Sequence, residues 1–131
     1  MAALFSERRV CMTANALFDY VLALMFSGEN EKADTSIQRQ FITTLNILLA
    51  ELFDKENGFR EKPLEAVPVI ATLSDTVDYN KKILALLPYG IAGTMLAEDD
   101  PNIAVQYKNK YEEMKAQCIV CEFVEVRDEL S

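Results

Sequence analysis

Apolar residues fall at helical spacing in four stretches of this 131-residue chain. In the first, Leu17, Val21, Leu24 and Met25 recur at four, three and one, and Phe18 and Leu22 widen the stripe. Thr13 stands in the N-cap position before it. Ser27-Gly28-Glu29-Asn30 closes it, with Gly28 suited to a left-handed C′ position. The second stretch carries Ile37, Phe41, Leu45, Leu48, Leu49, Leu52 and Phe53 behind a cap at Asp34 or Thr35, and stops near Asn57-Gly58. The third begins near Asp78, a good N-cap. Its apolar residues Tyr79, Ile83, Leu86, Leu87, Ile91 and Met95, with their neighbours, cover nearly every direction. A helix that is apolar all round is central in its fold. The fourth holds Ile103, Tyr107, Tyr111, Met114, Cys118 and Cys121 at spacings of four, four, three, four and three. Between the last two, Asp100 fits an N-cap and Pro101 a first helical position, which predicts a tight antiparallel helical hairpin.

Three segments interrupt this pattern. Residues 57–77 have no helical period, and Pro63 and Pro68 break helix there. Within them "VPVIATL" (67–73) is rich in β-branched residues and reads as a short extended segment, confined by Pro68 to a sheet edge. The tail 122–131 begins "EFVEV", which either extends the fourth helix or forms a terminal strand. Pro88 lies inside the most apolar stretch, where it costs about 3 kcal/mol and either bends the helix or breaks it after Leu87. Gly90 and Gly93 follow it and allow a neighbouring backbone to approach closely. The fold class expected is all-α: one domain of about four main helices, a kinked or broken central helix and a long irregular connection at 57–77. Residues 1–12 form a lead-in.

Composition agrees with one domain. Half the residues are hydrophobic, enough for a core without metal or disulfide staples. Thirteen Lys and Arg face 21 Asp and Glu, a net charge of −8 that repels nucleic acid at long range. The basic groups Arg8-Arg9, Lys81-Lys82 and Lys108/Lys110/Lys115 lack aromatic interleaving and read as solvated helix faces. No specific nucleic-acid binding is expected. The longest apolar stretch, 83–97, falls short of the roughly 20 residues a bilayer needs, so no membrane span is expected. Three cysteines are too sparse for a secreted disulfide scaffold.

No catalytic frame is legible. There is no histidine, which removes Ser-His-Asp and Cys-His nucleophiles and His-containing metal sites. No glycine-rich phosphate loop occurs. Cys118 and Cys121 form a C-x-x-C, yet both continue the apolar stripe of the fourth helix and read as buried, inert thiols. Glu98, Asp99 and Asp100 read as helix-capping acids, not a cation site. The sequence thus predicts no enzyme, no cofactor, no metal and no small-molecule substrate.

The runs "TANALFDYVLALM" (13–25), "FITTLNILLAELF" (41–53) and "LLPYGIAGTMLAEDDPNIAVQYKNKYEEM" (86–114) resemble the head–tail connector (adaptor) proteins of tailed phages and prophages. The resemblance is most specific at Pro88, Tyr89 and Gly90, at Asp100-Pro101 and at Tyr111, and covers roughly residues 12–115. It implies a helical, non-enzymatic virion assembly subunit that forms a ring between portal and tail. The implied partners are portal and tail-completion proteins and further copies of itself. The implied location is the host bacterial cytoplasm during assembly and then the virion. Reaching segments of such a subunit would be "VPVIATL" and "CEFVEV", with Val67, Val69, Ile70, Phe123, Val124 and Val126 as candidate contacts, through strand addition. Both segments packing on their own core is the competing expectation. The alternative function is a small cytosolic helical regulator or partner-binding protein acting as a dimer.

Overall fold

The computed structural model describes the chain from Cys11 to Leu130, and at Glu29 and from 119 onward it describes the backbone alone. Of the lead-in and its arginine pair, only Cys11 and Met12 are therefore described. The elements run β1 (Met12–Thr13), α1 (Ala14–Leu24), α2 (Glu29–Ala33), α3 (Thr35–Glu51), α4 (Phe53–Gly58), β2 (Thr76–Val77), α5 (Lys81–Met95) and α6 (Pro101–Leu130). Among the described residues the fold is all-α apart from one small antiparallel pair, in which Met12 faces Val77 and Thr13 faces Thr76.

The centre is α5. Ile83, Leu86, Leu87, Ile91 and Ala92 are buried on it, and α1, α3 and α6 pack around it. Fully burying each larger aliphatic chain of this kind stabilises by about 1.5–3 kcal/mol. Phe18 of α1 stacks on Phe41 of α3 with ring centroids 4.6 Å apart. The helix runs unbroken through Pro88, so a break after Leu87 does not occur. Burial of Pro88 and its neighbours against three helices offsets the missing amide donor.

Capping follows the sequence at three starts. Thr13 Oγ1 accepts from the Ala16 amide at 3.1 Å. Asp34 Oδ1 accepts from Ser36 at 2.8 Å and Ile37 at 3.3 Å. Asp100 precedes Pro101 at the start of α6, and its carbonyl accepts from the Ala104 amide at 2.9 Å.

Three boundaries differ from expectation. The second helix divides at Leu52 into α3 and α4. The N-cap of α5 is Asn80, whose side chain accepts from Lys82 at 2.9 Å, and not Asp78. Tyr79 consequently precedes the helix, and its buried hydroxyl donates to the Leu49 carbonyl at 2.8 Å. Gly28 does not take the left-handed position after α1. Phe26 does, at φ 58°, while Gly28 is extended and leads into α2. The amides of Ser27 and Phe26 donate to the carbonyls of Leu22 and Ala23, at 2.9 and 3.2 Å, so a Schellman closure forms two residues earlier than the glycine.

The connection after α4 is tied down by side chains instead of by strand pairing, and "VPVIATL" is not a strand. Asn46 on α3 donates to the Ile70 carbonyl at 2.9 Å and accepts from its amide at 2.8 Å. Asn57 accepts from the Leu64 amide at 2.8 Å and donates to its carbonyl at 3.4 Å. Asp75 accepts from the amides of Ala71 and Thr72, which holds its carboxyl below the usual value. The carbonyls of Asp75 and Leu73 then accept from Ala14 and Asn15, at 2.8 Å each, so the loop satisfies amides at the start of α1. Beneath it, Glu56 and Arg60 are both buried and pair at 2.5 Å. Glu56 also accepts from the Asn80 amide, and Arg60 donates to the Asp78 carbonyl. A buried pair of this kind leaves an uncompensated charge worth about 3–5 kcal/mol when one partner is removed. The exposed Lys32–Asp19 pair is worth about 0–1 kcal/mol.

The left-handed Phe26 is 79% exposed and gains little from burial where it stands. Phe26→Gly relieves a backbone cost of about 1–2 kcal/mol, and chemical denaturation should show a stabilisation of about 1 kcal/mol. An unchanged or lowered midpoint would mean that the Phe26 ring stabilises the fold.

Candidate functional site

Two surfaces of α5 gather the residues singled out in the sequence. The first is its seam with α6. The antiparallel hairpin brings Gly93 against Ala104 and Lys108, and Gly90 against the Tyr111 ring. A Cβ at Gly90 would stand 2.7 Å from Tyr111 Cδ1 and 2.9 Å from Leu48 Cδ1. At Gly93 it would stand 2.8 Å from Lys108 Cγ and 3.2 Å from the Ala104 carbonyl oxygen. Glycine is therefore required at both positions by contact distance. Tyr111 donates to Glu51 Oε1 at 2.9 Å, and Lys115 reaches the same oxygen at 2.8 Å. Lys115 also bonds Glu112 at 3.1 Å and lies 4.9 Å from the centroid of the Tyr111 ring. This cluster bolts α6 to the end of α3.

Its electrostatics follow from burial and pairing. Burial, then the adjoining Glu51 carboxylate, pushes the Tyr111 hydroxyl far above the ordinary tyrosine value. Burial works against the Lys115 charge, but Glu51 and Glu112 raise its hold on the proton above that of an ordinary lysine. Burial likewise works against Glu51, and hydrogen bonds from Lys115 and Tyr111 overcome it to hold the carboxyl below the usual value. At the core, burial and nearby Glu56 push Tyr79 up to about 12.

The second surface is a groove of about 360 Å³ between α1 and α5. Met12, Tyr20, Ala23, Leu24, Leu84, Ala85, Pro88 and Tyr89 line it, with Lys81 as its charged member. Tyr20 is 58% exposed, and Ala23 and Ala85 are exposed on the groove walls. Tyr89 leans on Tyr107 with centroids 6.0 Å apart, and Tyr107 donates to the Leu24 carbonyl at 2.6 Å, so one wall is braced from α6. Pro88 brings no amide donor, so the carbonyl of Leu84, four residues earlier and on the same wall, lacks its usual helical partner.

The resemblance residues thus separate by role. Pro88 and Tyr89 belong to the groove, Gly90 and Tyr111 to the seam, and Asp100 and Pro101 to the start of α6. The candidate contacts at 67–70 lie elsewhere. Val69 is 75% exposed and Val67 half-buried, but Ile70 is 4% exposed and sits in the core, which removes it as a contact. Its backbone is held by Asn46, so no strand addition through Ile70 is available. The tail extends α6 as helix to Leu130, which excludes a terminal strand, while the side chains of Phe123, Val124 and Val126 lie outside the described residues. Cys118 is buried, as its place in the stripe requires, and Cys121 lies outside the described side chains. Asn46, Asn57 and the Glu56–Arg60 pair were not anticipated. Only the four-residue step from Glu56 to Arg60 was a signal.

Among the described residues no cluster of three or more His, Cys, Asp or Glu side chains could hold a metal ion. No helix among them is long and apolar enough to cross a membrane. No protein-family model, curated protein or solved structure matches this chain.

Two outcomes test the seam. Gly90→Ala should cost about 1–3 kcal/mol, the range for overpacking a filled core. Tyr111→Leu in the same chain should recover part of that loss in a double-mutant cycle. Tyr79, Tyr111 and Lys115 all hold protons more tightly folded than unfolded, so their contribution is complete below the unfolded values. It is lost as pH rises through the folded ones. Stability should fall above about pH 10, by about 1.4 kcal/mol per pH unit for each group concerned. Tyr79→Phe should make the fall shallower between about pH 10 and about 12, read as the urea midpoint against pH.

Proposed function

We propose that this chain is a non-enzymatic assembly subunit of the phage head–tail connector type, working by contact with a portal ring, with tail-completion proteins and with further copies of itself. The observation that carries this reading is the α1–α5 groove. It is apolar, rimmed by tyrosines and set on rigid helices, the composition that protein-docking surfaces favour. Two of the residues on which the connector resemblance rests, Pro88 and Tyr89, stand in its wall. The resemblance then reads as a shared docking surface built on a passive helical body. On this reading the protein resides in the host cytoplasm during assembly and afterwards in the virion.

The test is reconstitution with the portal protein of the same phage or prophage genome. Purified chain should co-sediment with portal rings at a saturating, fixed ratio. Ala23→Glu, which places a charge on an exposed groove wall, should lower that affinity at least tenfold while leaving the thermal midpoint unchanged. Failure to bind the portal, together with a stable dimer in solution, would favour the small cytosolic regulator instead.

A further inference from the structure

Phe26 stands apart from the rest of the fold on two counts. Among the described residues it is the most exposed large apolar side chain, at 79%, and it belongs neither to the buried core nor to the partly buried apolar residues packed on it. Among the same residues it is also the one non-glycine with a positive φ, at 58°. A single exposed apolar side chain is ordinary on a protein surface. A bulky one held in the left-handed region is not, because that backbone conformation disfavours any residue with a Cβ. Burial of the ring does not offset the strain here. Strain of this kind concentrates where a side chain acts on something outside its own fold.

The turn that carries Phe26 is fixed on both sides. The amides of Met25, Phe26 and Ser27 donate to the carbonyls of Val21, Ala23 and Leu22, at 3.0, 3.2 and 2.9 Å. Tyr107 of α6 donates to the Leu24 carbonyl just before them. Beyond the turn, Glu31 accepts from the Gly28 amide at 2.9 Å, and Lys32 of α2 pairs with Asp19 of α1 at 2.6 Å. The backbone beneath the ring is thus ordered before any contact, and a pre-ordered anchor loses less freedom on binding.

The same turn closes one end of the α1–α5 groove. Leu24 lines the groove, and Phe26 follows it by two residues, a span of at most about 7 Å. Tyr107, which bonds Leu24, also leans on Tyr89 in the α5 wall. Groove and turn therefore share one brace from α6.

We propose that Phe26 is the anchor of the contact with the portal protein, its ring entering an apolar pocket of ring size on the portal beside the segment that fills the groove. An aromatic ring supplies a large contact area and has only two side-chain torsions to fix. The left-handed backbone weakens the free fold and is offset only in the complex. The inference rests on the assembly-subunit reading and names the residue on which that contact turns.

The experiment uses the full chain and portal rings of the same genome. Phe26→Ala should lower portal affinity by about tenfold or more, as loss of a central anchor does. Its thermal midpoint should equal or exceed that of the native chain, since the ring is not part of the core. Hydroxyl-radical footprinting reads the same contact in the unaltered chain: the Phe26 ring should be oxidised when free and protected on the portal. Native affinity in Phe26→Ala, or a ring still oxidised in the complex, would overturn the anchor. Ala23→Glu separates this from failure of the function itself. If Ala23→Glu weakens portal binding and Phe26→Ala does not, the groove contact stands and the anchor falls. A native chain that never binds the portal removes both.

Discussion

A helix that is apolar on most of its surface must be covered on most sides, and α5 is that helix. Its burial requirement determines the positions of α1, α3 and α6 and leaves the shorter elements to fill what remains. The two glycines settle how near one wrapping helix can come. Because Gly90 and Gly93 have no side chains, α6 lies close enough for the Tyr111 ring to pack on α5 backbone. From that closeness the polar cluster at Glu51 and Lys115 follows, since only a helix so placed brings Tyr111 and Lys115 to the end of α3.

The connection between α4 and α5 solves a different problem. It is long, carries two prolines and forms no ladder until Thr76–Val77, so its backbone groups need other partners. Asn46 and Asn57 each present an amide that mimics a peptide unit, bonding both the donor and the acceptor of one loop residue. The loop in turn serves α1 through the carbonyls of Asp75 and Leu73. It is a structural strut. That makes it less available for reaching a neighbour than its length in the sequence implies.

What was legible in the sequence was what periodicity carries. The stripes from Leu17, from Ile37 and from Ile103 became buried faces, and Thr13, Asp34 and Asp100 preceded their helices as capping chemistry requires. Less legible was anything that depends on a partner distant in the chain. Asp78 and Asn80 are both good caps, and the buried Arg60 beside Asp78 decided between them. Gly28 looked like the residue for a left-handed turn, but the Schellman bonds of Ser27 and Phe26 close two residues earlier. Ile70 read as a contact residue on a loop, and a single asparagine 24 positions away turned it inward. A pocket beside Pro88 was conceivable from the sequence, but its second wall on α1 was not legible, because the groove arises between two helices whose separate patterns are ordinary.

The α5–α6 seam also bears on how the polypeptide is made. α6 is synthesised after α5, and it supplies the cover for Gly90 and Gly93, the brace on Tyr89 and the lysine that neutralises Glu51. At the usual speed of translation its thirty residues take roughly 2–6 s to appear. Until α6 docks, α5 has one flank uncovered, the state in which chaperones and aggregation compete for a folding chain.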